Sequence, residues 1–337
     1  MKRSLILGLS ALLSLSAVAA RAQQEILNAS YDVGRELFAD VNKAFVPVYK
    51  AAGGGDVVIK QSHAGSSRQA RSILEGLKAD VVTFNQVGDV QILADGKLVA
   101  KNWASAFANN SSPFYSVHSI LVRKGNPKGI QDWSDLAKPG VSIVQVNPKT
   151  GGNGRYAVLA YYAAGLQASG GDAKAARALT KKILANVVVF ESGGRTASST
   201  FAEREIGDVL VSFESETLAL STAPGASYQV ITPSVSVLSE FPVAVVEKVA
   251  KKRGTEALAK AYLDFLYTPQ GQEIIAKNYY RPRNAEVAAR YSSKLTPVKT
   301  VEVATAFGGW DKVTADFFAN GALVDELLKE IAAERVN

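Results

Sequence analysis

The stretch that decides the fold is Val57-Val58-Ile59-Lys60-Gln61-Ser62-His63-Ala64-Gly65-Ser66-Ser67-Arg68. It begins as a short apolar strand, 57–61, passes through a loop of glycine and small hydroxyl residues, and leads into a helix. The helix is predicted over 68–77, where Ile73, Leu74 and Leu77 follow helical spacing. Residues 79–83 then predict another strand. Alternation of strand and helix predicts a parallel sheet with helices on both faces.

The same alternation continues along the chain. An earlier strand over 25–30 precedes a helix over 35–49. Later residues predict a second cycle and a helical tail, in which Thr268 caps and Pro269 opens a helix over 272–277. The second cycle comprises strands over 119–123, 141–146, 187–190, 208–213 and 243–246, and helices over 156–168 and 173–184.

Three loops share one composition. They are Ser62-His63-Ala64-Gly65-Ser66-Ser67-Arg68, Thr150-Gly151-Gly152-Asn153-Gly154-Arg155 and Ser192-Gly193-Gly194-Arg195-Thr196. Each follows a predicted strand and precedes a predicted helix, where open α/β sheets bind ligands. Glycine lets the backbone approach a ligand, and the first turn of a helix offers unsatisfied N–H donors at its positive end. The loops therefore predict a site for a small anion, and their origin in two cycles predicts a cleft between two lobes.

The N-terminus predicts export. Lys2 and Arg3 precede an apolar run, and the small-residue pattern Ala20-Arg21-Ala22 follows it, so residues 1–22 are interpreted as a signal peptide. The apolar run is shorter than the roughly 20 residues that a membrane span needs. We expect a periplasmic protein.

Composition excludes several classes. Subtracting the 22 leader residues from 337 leaves 315, enough for two domains, and losing Lys2, Arg3 and Arg21 lowers the formal charge from +7 to +4. The basic residues do not cluster with aromatic ones, so nucleic-acid binding is not expected. With no cysteine and only His63 and His118, neither a metal site nor a cofactor is expected, and both histidines are interpreted as structural or exposed.

Longer motifs carry a family resemblance over nearly the whole chain after residue 22. They include Asn28-Ala29-Ser30-Tyr31-Asp32-Val33-Gly34-Arg35-Glu36-Leu37, Asn147-Pro148-Lys149-Thr150 and Phe307-Gly308-Gly309-Trp310, together with residues 59–67 of the opening stretch. With these motifs the chain resembles the periplasmic sulfate- and thiosulfate-binding proteins of ABC importers. Ser212-Phe213-Glu214-Ser215-Glu216 and residues 76–83 are more similar to the thiosulfate/sulfate branch.

The resemblance implies a two-lobed type II periplasmic binding protein fold, in which each lobe is a sheet flanked by helices and the ligand lies in the cleft between them. It places residues 23–115 and 240–337 in lobe I and residues 116–239 in lobe II. It implies a monomer that closes over a dehydrated dianion and docks on the importer's membrane subunits. The implied donors are the amides of Asp32, Ser66, Gly152, Asn153 and Gly194 and the hydroxyl of Ser66. Arg155 and Arg195 match arginines that follow such turns, and they either compensate the ligand's charge from behind or form ordinary surface pairs.

Two positions depart from the sulfate-only pattern of that family. Gly151 stands where that branch has a serine whose hydroxyl contacts the anion, and Phe213 stands where it has a tryptophan that donates its indole N–H. Thr150 could supply a substitute hydroxyl. A hydrogen bond to a charged partner contributes roughly 1.5–3 kcal/mol, so the two losses favour thiosulfate together with sulfate over sulfate alone. Phosphate carries a proton that needs an acidic acceptor, and only an inward-turned Asp32 carboxylate could provide one.

Three alternatives remain open at this point: another small oxyanion, ferric iron and a serine hydrolase. Tyr279-Tyr280 could bind iron, although the neighbouring arginines oppose a cation. A hydrolase could use His63 and Ser66, but the chain lacks a Gly-x-Ser-x-Gly elbow around that serine. A binding protein without enzymatic activity is the favoured prediction.

Overall fold

The computed structural model describes residues 23–336. The predicted signal peptide, residues 1–22, lies outside the described residues. Within 23–336 the strands are β1 (Gln24–Ser30), β2 (Val57–His63), β3 (Val81–Thr83), β4 (Phe114–Ser116), β5 (His118–Arg123), β6 (Ile143–Val146), β7 (Val187–Glu191), β8 (Val209–Phe213), β9 (Tyr228–Ile231), β10 (Val235–Val237), β11 (Ser239–Glu240), β12 (Val243–Val245), β13 (Arg281–Pro282) and β14 (Lys299–Val301).

The helices confirm most of the predicted ones, with shifted ends. They are α1 (Arg35–Ala51), α2 (Ser66–Leu74), α3 (Val87–Asp95), the short α4 (Ala108–Ser111), α5 (Gly152–Ala168), α6 (Ala173–Ala185), α7 (Gly194–Ala202), α8 (Glu214–Thr222), α9 (Glu247–Arg253), α10 (Glu256–Phe265), α11 (Pro269–Lys277), α12 (Ala285–Arg290), α13 (Val303–Phe307), α14 (Trp310–Val313) and α15 (Leu323–Val336). Thr268 caps α11 as predicted, because its side chain accepts from the Gly271 amide. None of the helices between residues 23 and 336 combines the length and the apolar character that crossing a bilayer requires.

The first sheet has the strand order β12-β3-β1-β2. β1 is parallel to β2 and to β3, with Ser30 opposite His63 on one side and Thr83 on the other. The carboxyl ends of these three strands therefore meet at one edge. The Asp32 turn, the start of α2 and Asn85 all follow that edge.

The second sheet has the order β7-β6-β8-β5-β9. β6 is parallel to β7 and β8, so α5 and α7 both begin at the carboxyl ends of neighbouring strands. The predicted parallel pairing holds for β1 with β2 and β3 and for β6 with β7 and β8, but both sheets are mixed, because β5 is antiparallel to β8 and β9, and β12 is antiparallel to β3. β5 enters the second sheet directly from β4 of another sheet, after a single residue and without a preceding helix.

A small antiparallel sheet, β11-β4-β13, lies where the chain passes between the two larger sheets. Ser116 pairs with Ser239, and Tyr115 pairs with both Glu240 and Arg281. Phe241 follows this sheet and packs at 5.0–5.2 Å between ring centroids against Tyr31, Phe114 and Phe213. These rings form one buried aromatic cluster. The limits of the two lobes stay a prediction.

The last helix, α15, packs on α6 of the second sheet. Arg177 pairs with Glu330 at 2.5 Å, and Lys181 pairs with Glu334 at 2.6 Å. The end of the chain, predicted as part of lobe I, therefore has these contacts with the elements around the second sheet.

Candidate functional site

The first sheet contributes a pre-formed serine to the site. Ser66 is the first residue of α2 and is almost fully buried. Its hydroxyl donates to Asn85 Oδ1 at 2.7 Å and accepts from the Asn85 backbone N–H at 2.9 Å. Asn85, which follows β3, thus fixes the orientation of Ser66. Sequence reasoning did not assign Asn85 to the site; the available signal was a polar residue directly after an apolar strand.

The second sheet contributes two helix starts. α5 begins at Gly152, four residues before the predicted start, and α7 begins at Gly194. The first intrahelical bond of α5 runs from the Arg155 amide to the Gly151 carbonyl at 3.2 Å. The amides of Gly152, Asn153 and Gly154 therefore have no carbonyl partner within the helix, and they remain available as donors.

The segments that follow the two sheets touch one another. A methyl carbon placed on Gly152 would lie 2.9 Å from Asn85 Oδ1 and 3.1 Å from the Asn85 carbonyl oxygen. One placed on Gly194 would lie 2.7 Å from Val33 Cγ1 and 3.5 Å from Asn153 Nδ2, and one on Gly65 would lie 3.7 Å from the Ser192 carbonyl. Side chains at Gly152 and Gly194 would hold the segments apart, whereas the contact at Gly65 is an ordinary van der Waals one. The three predicted loops and the Asp32 turn therefore form a ring, hereafter the donor ring, to which Ser66, Asn85, Gly152, Asn153 and Gly194 belong.

Asp32 joins the two halves of the donor ring. Its carboxylate accepts from the Arg195 backbone N–H at 2.9 Å, at the start of α7. Negative charge at a helix N-terminus is stabilised by the helix dipole. This acidic group is thus engaged by a donor of its own, and the predicted role of its backbone amide as a ligand stays a prediction.

The side chain of Arg195 forms ion pairs away from that amide. Its guanidinium lies 2.7 Å from Glu36 and 3.9 Å from the buried Glu216. The pairing with Glu36 joins a residue of α1 to one of α7. An ordinary ion pair was one of the two roles predicted for Arg195. The other role, compensation of the ligand's charge, stays a prediction.

Asn153 is held from behind by buried polar groups. Its Nδ2 donates to Ser212 Oγ at 3.0 Å, so its Oδ1 is the acceptor that faces His118 Nε2 at 3.1 Å. His118 therefore carries its proton on Nε2. Burial lowers the pKa of His118 to about 4, against the opposing effect of Asn153, so the ring is neutral near neutral pH. Of the two alternatives predicted for this histidine, structural or exposed, the structure supports the first, because His118 is fully buried.

The two positions that depart from the sulfate-only pattern are apolar in their surroundings. Phe213 is fully buried, with its ring centroid 4.7 Å from that of His118. A methyl carbon on Gly151 would lie 2.6 Å from Val146 Cγ1, so Val146 fills the space of a side chain there. The side chain of Thr150 is exposed and forms no hydrogen bond with the described residues, and its predicted role as a substitute hydroxyl stays a prediction.

Arg155 lies behind the donor ring near a buried acid. Its Nε donates to the Pro148 carbonyl at 3.3 Å, and its charge acts on Asp89, which accepts from Ser67 Oγ at 2.9 Å. Burial raises the pKa of Asp89 to about 6, against the opposing effects of Arg155 and Ser67. The predicted charge compensation by Arg155 stays a prediction.

The local geometry does not assemble a hydrolase or an iron site from the residues that suggested them. His63 Nδ1 lies 3.2 Å from the Tyr31 carbonyl, whereas Ser66 is bonded to Asn85. The Tyr280 hydroxyl donates to the Val33 carbonyl, and the Tyr279 hydroxyl contacts Thr222 instead. Over residues 23–336 no group of three or more His, Cys, Asp or Glu residues could hold a metal ion.

Comparisons with known proteins agree on one class. A family model described as bacterial extracellular solute-binding protein matches residues 35–281. A thiosulfate-binding protein of Escherichia coli (strain K12) is 50% identical, with 90% of this chain and 91% of that protein covered. A sulfate-binding protein of the same organism is 45% identical, with 96% and 98% covered. Among solved structures, the sulfate-binding protein SubI from Mycobacterium tuberculosis H37Rv has a TM-score of 0.79 and 31% identity, covering 88% of this chain and 100% of that one.

Proposed function

Because the chain belongs to the family of bacterial extracellular solute-binding proteins, with thiosulfate- and sulfate-binding members among its relatives, we propose that it captures thiosulfate and sulfate. In this proposal it delivers the anion to the membrane subunits of an ABC importer, acts in the periplasm as a monomer and catalyses no reaction.

The donor ring is the observation that carries this proposal. Helices that follow both sheets begin at the donor ring, and their first turns supply hydroxyl and backbone N–H groups as hydrogen-bond donors. Helix N-termini bind anions because free N–H groups and the helix dipole point the same way. The Asp32 carboxylate is directed at a protein donor, because its Oδ2 accepts from the Arg195 amide at the start of α7. A fully ionised sulfur oxyanion fits such a site better.

The apolar surroundings of Gly151 and Phe213 support thiosulfate alongside sulfate. Each position lacks a side-chain donor, and an anion oxygen facing it would lose a hydrogen bond worth roughly 1.5–3 kcal/mol. The terminal sulfur of thiosulfate is a poorer acceptor and loses less at such a position. We therefore propose that thiosulfate binds at least as tightly as sulfate.

Capture would proceed by closure of the two lobes. The contacts of Gly152 with Asn85 and of Asp32 with Arg195 each join elements that follow different sheets, so separating the sheets would break both. An anion that binds both halves favours the closed arrangement over an open one. The ion pairs of α15 and the pairing of β14 with β10 support assigning residues 299–336 to lobe II, with residues 240–298 in lobe I.

Isothermal titration of the chain from residue 23 with sulfate, thiosulfate and phosphate tests the proposal. We expect binding of the first two anions and much weaker binding of phosphate. Ser66→Ala removes the buried hydroxyl, and we expect about tenfold weaker binding, since a hydrogen bond to a charged group contributes roughly 1.5–3 kcal/mol. Phosphate binding as tight as that of sulfate, or no heat with either sulfur anion, would contradict the proposal.

A further inference from the structure

Lys149 lies in the loop that leads from β6 to α5, and its side chain reaches the C-terminal part of the chain. Its ammonium group donates to the Phe318 carbonyl at 2.8 Å, to the Ala319 carbonyl at 3.2 Å and to the Asp325 carboxylate at 2.9 Å. An ammonium group has three N–H donors, so this arrangement satisfies all of them. The side chain is 23% exposed. Ordinary surface ion pairs contribute little, whereas this lysine has three acceptors and is largely buried.

The acceptors of Lys149 are themselves fixed. Phe318 ends a helical turn, Thr314–Phe318, and cations are stabilised at the carbonyl end of a helix. Asp325 also accepts from the Gly321 amide at 2.8 Å. These two bonds, from Gly321 first and from Lys149 next, lower the pKa of Asp325, so its carboxylate is ionised near neutral pH. Asp325 belongs to α15, which also forms ion pairs with α6.

Two further contacts join the same segment to the start of α5. The Trp310 ring lies 5.0 Å from that of Tyr156, edge to face, and the Arg155 guanidinium lies 6.0 Å from the centre of the Phe318 ring. Arg155 and Tyr156 directly follow Gly152, Asn153 and Gly154, whose amides belong to the donor ring. Residues 310–325 therefore contact both the loop before these amides and the helical turn after them.

We propose that residues 310–325 support the anion site from outside it, and that Lys149 is the positioning residue that connects the start of α5 to them. Lys149 does not touch the anion. It holds the amides of Gly152 and Asn153 in the orientation in which they donate. This inference rests on the proposed function, since it concerns the same site.

The test compares the affinity of the chain from residue 23 for sulfate and thiosulfate in Lys149→Met, Asp325→Asn and the double variant. We expect roughly 5- to 20-fold weaker binding of both anions in Lys149→Met and a smaller loss in Asp325→Asn, which leaves the Phe318 and Ala319 carbonyls as acceptors of Lys149. The double variant should lose no more than Lys149→Met, because that change already breaks the contact with Asp325. Hydrogen exchange of the amides of residues 151–155 should accelerate in all three variants, while exchange in α6 stays as in the wild type. Lys50→Met is the matched control, because it removes a lysine whose ion-pair partner, Asp56, is exposed, and both residues lie far from residues 310–325 in the sequence.

The outcomes are separable. Wild-type affinity in Lys149→Met and Asp325→Asn would overturn the inference while leaving the proposed function intact. A loss in the double variant clearly larger than that in Lys149→Met, or an equal loss in Lys50→Met, would overturn it as well. Should Lys149→Met not fold, Asp325→Asn decides alone. Should the wild type bind neither anion, the proposed function fails, and the exchange rates of residues 151–155 still show whether Lys149 orders this turn.

Discussion

The substitution Gly152→Ala should weaken anion binding by hindering lobe closure while leaving the stability of the anion-free protein nearly unchanged. A methyl carbon at this position would lie 2.9 Å from Asn85 Oδ1, 3.0 Å from Gln86 Cβ and 3.1 Å from the Asn85 carbonyl oxygen. All three atoms follow the first sheet, whereas Gly152 begins a helix of the second sheet. The three nearest atoms that the added methyl group would meet thus belong to the other half of the donor ring.

The expected cost follows from those distances. Each contact is shorter than an ordinary van der Waals contact by a few tenths of an ångström, and the carbonyl belongs to the backbone, which cannot rotate away. Inserting a methyl group into a filled space costs about 1–3 kcal/mol. Because about 1.4 kcal/mol corresponds to a factor of ten, the affinity should fall by about 5-fold to about 150-fold. The melting temperature without anion should change little, since open lobes escape the contact.

Isothermal titration with sulfate and thiosulfate, paired with thermal melts with and without each anion, measures both quantities. Gly88→Ala is the matched control, because a methyl carbon at Gly88 would meet only Gln86 Nε2, at an ordinary 3.8 Å. We expect the control to bind like the wild type. An affinity for Gly152→Ala within about twofold of the wild type would refute the reasoning, and so would a loss of stability without anion as large as the loss with it.

Two further outcomes follow from the ring and the groups behind it. Asp32→Ala removes the carboxylate that accepts from the Arg195 amide. We expect about tenfold weaker anion binding by titration, because a hydrogen bond to a charged group contributes roughly 1.5–3 kcal/mol. Unchanged affinity would show that this hydrogen bond does not support closure. Asp89→Asn should make the melting temperature fall more steeply from about pH 6 to about pH 4. Burial raises the pKa of Asp89 to about 6, so this group binds a proton more tightly in the folded protein, and its contribution to stability rises as the pH falls. Burial lowers the pKa of His118 to about 4, so that group binds a proton more tightly in the unfolded chain, and its contribution to stability is lost as the pH falls. Equal slopes in melts of variant and wild type would contradict this assignment.

Local patterns were sufficient for most of the elements that carry the site. The strand over 25–30 and the helices over 35–49 and 173–184 are confirmed to within two residues at each end, because their apolar spacing reflects a buried face. The start of α5 was predicted four residues late, at 156. Glycine is a poor helix former, yet the first turn of a helix needs no intrahelical acceptor for its amides, and close packing against Asn85 requires glycine at 152.

Contacts between distant segments were beyond any local pattern. The antiparallel placement of β5 depends on how the chain enters the second sheet. The bonds of Ser66 to Asn85 and of Asn153 to His118 join residues 19 and 35 positions apart, and composition says nothing of such pairs. The burial of His118 was likewise open, since a single histidine carries no periodicity.

The sequence by itself determined the ingredients: alternating strands and helices, and three glycine-rich turns that place N–H donors at helix starts. Those follow from local propensity and from the need of each element to bury one face. Only the tertiary structure decided that the turns meet in one ring, that Asp32 closes it on the Arg195 amide, and that the far end of the chain supports it through Lys149. These are contacts across as many as 176 residues, and packing of the whole chain fixes them.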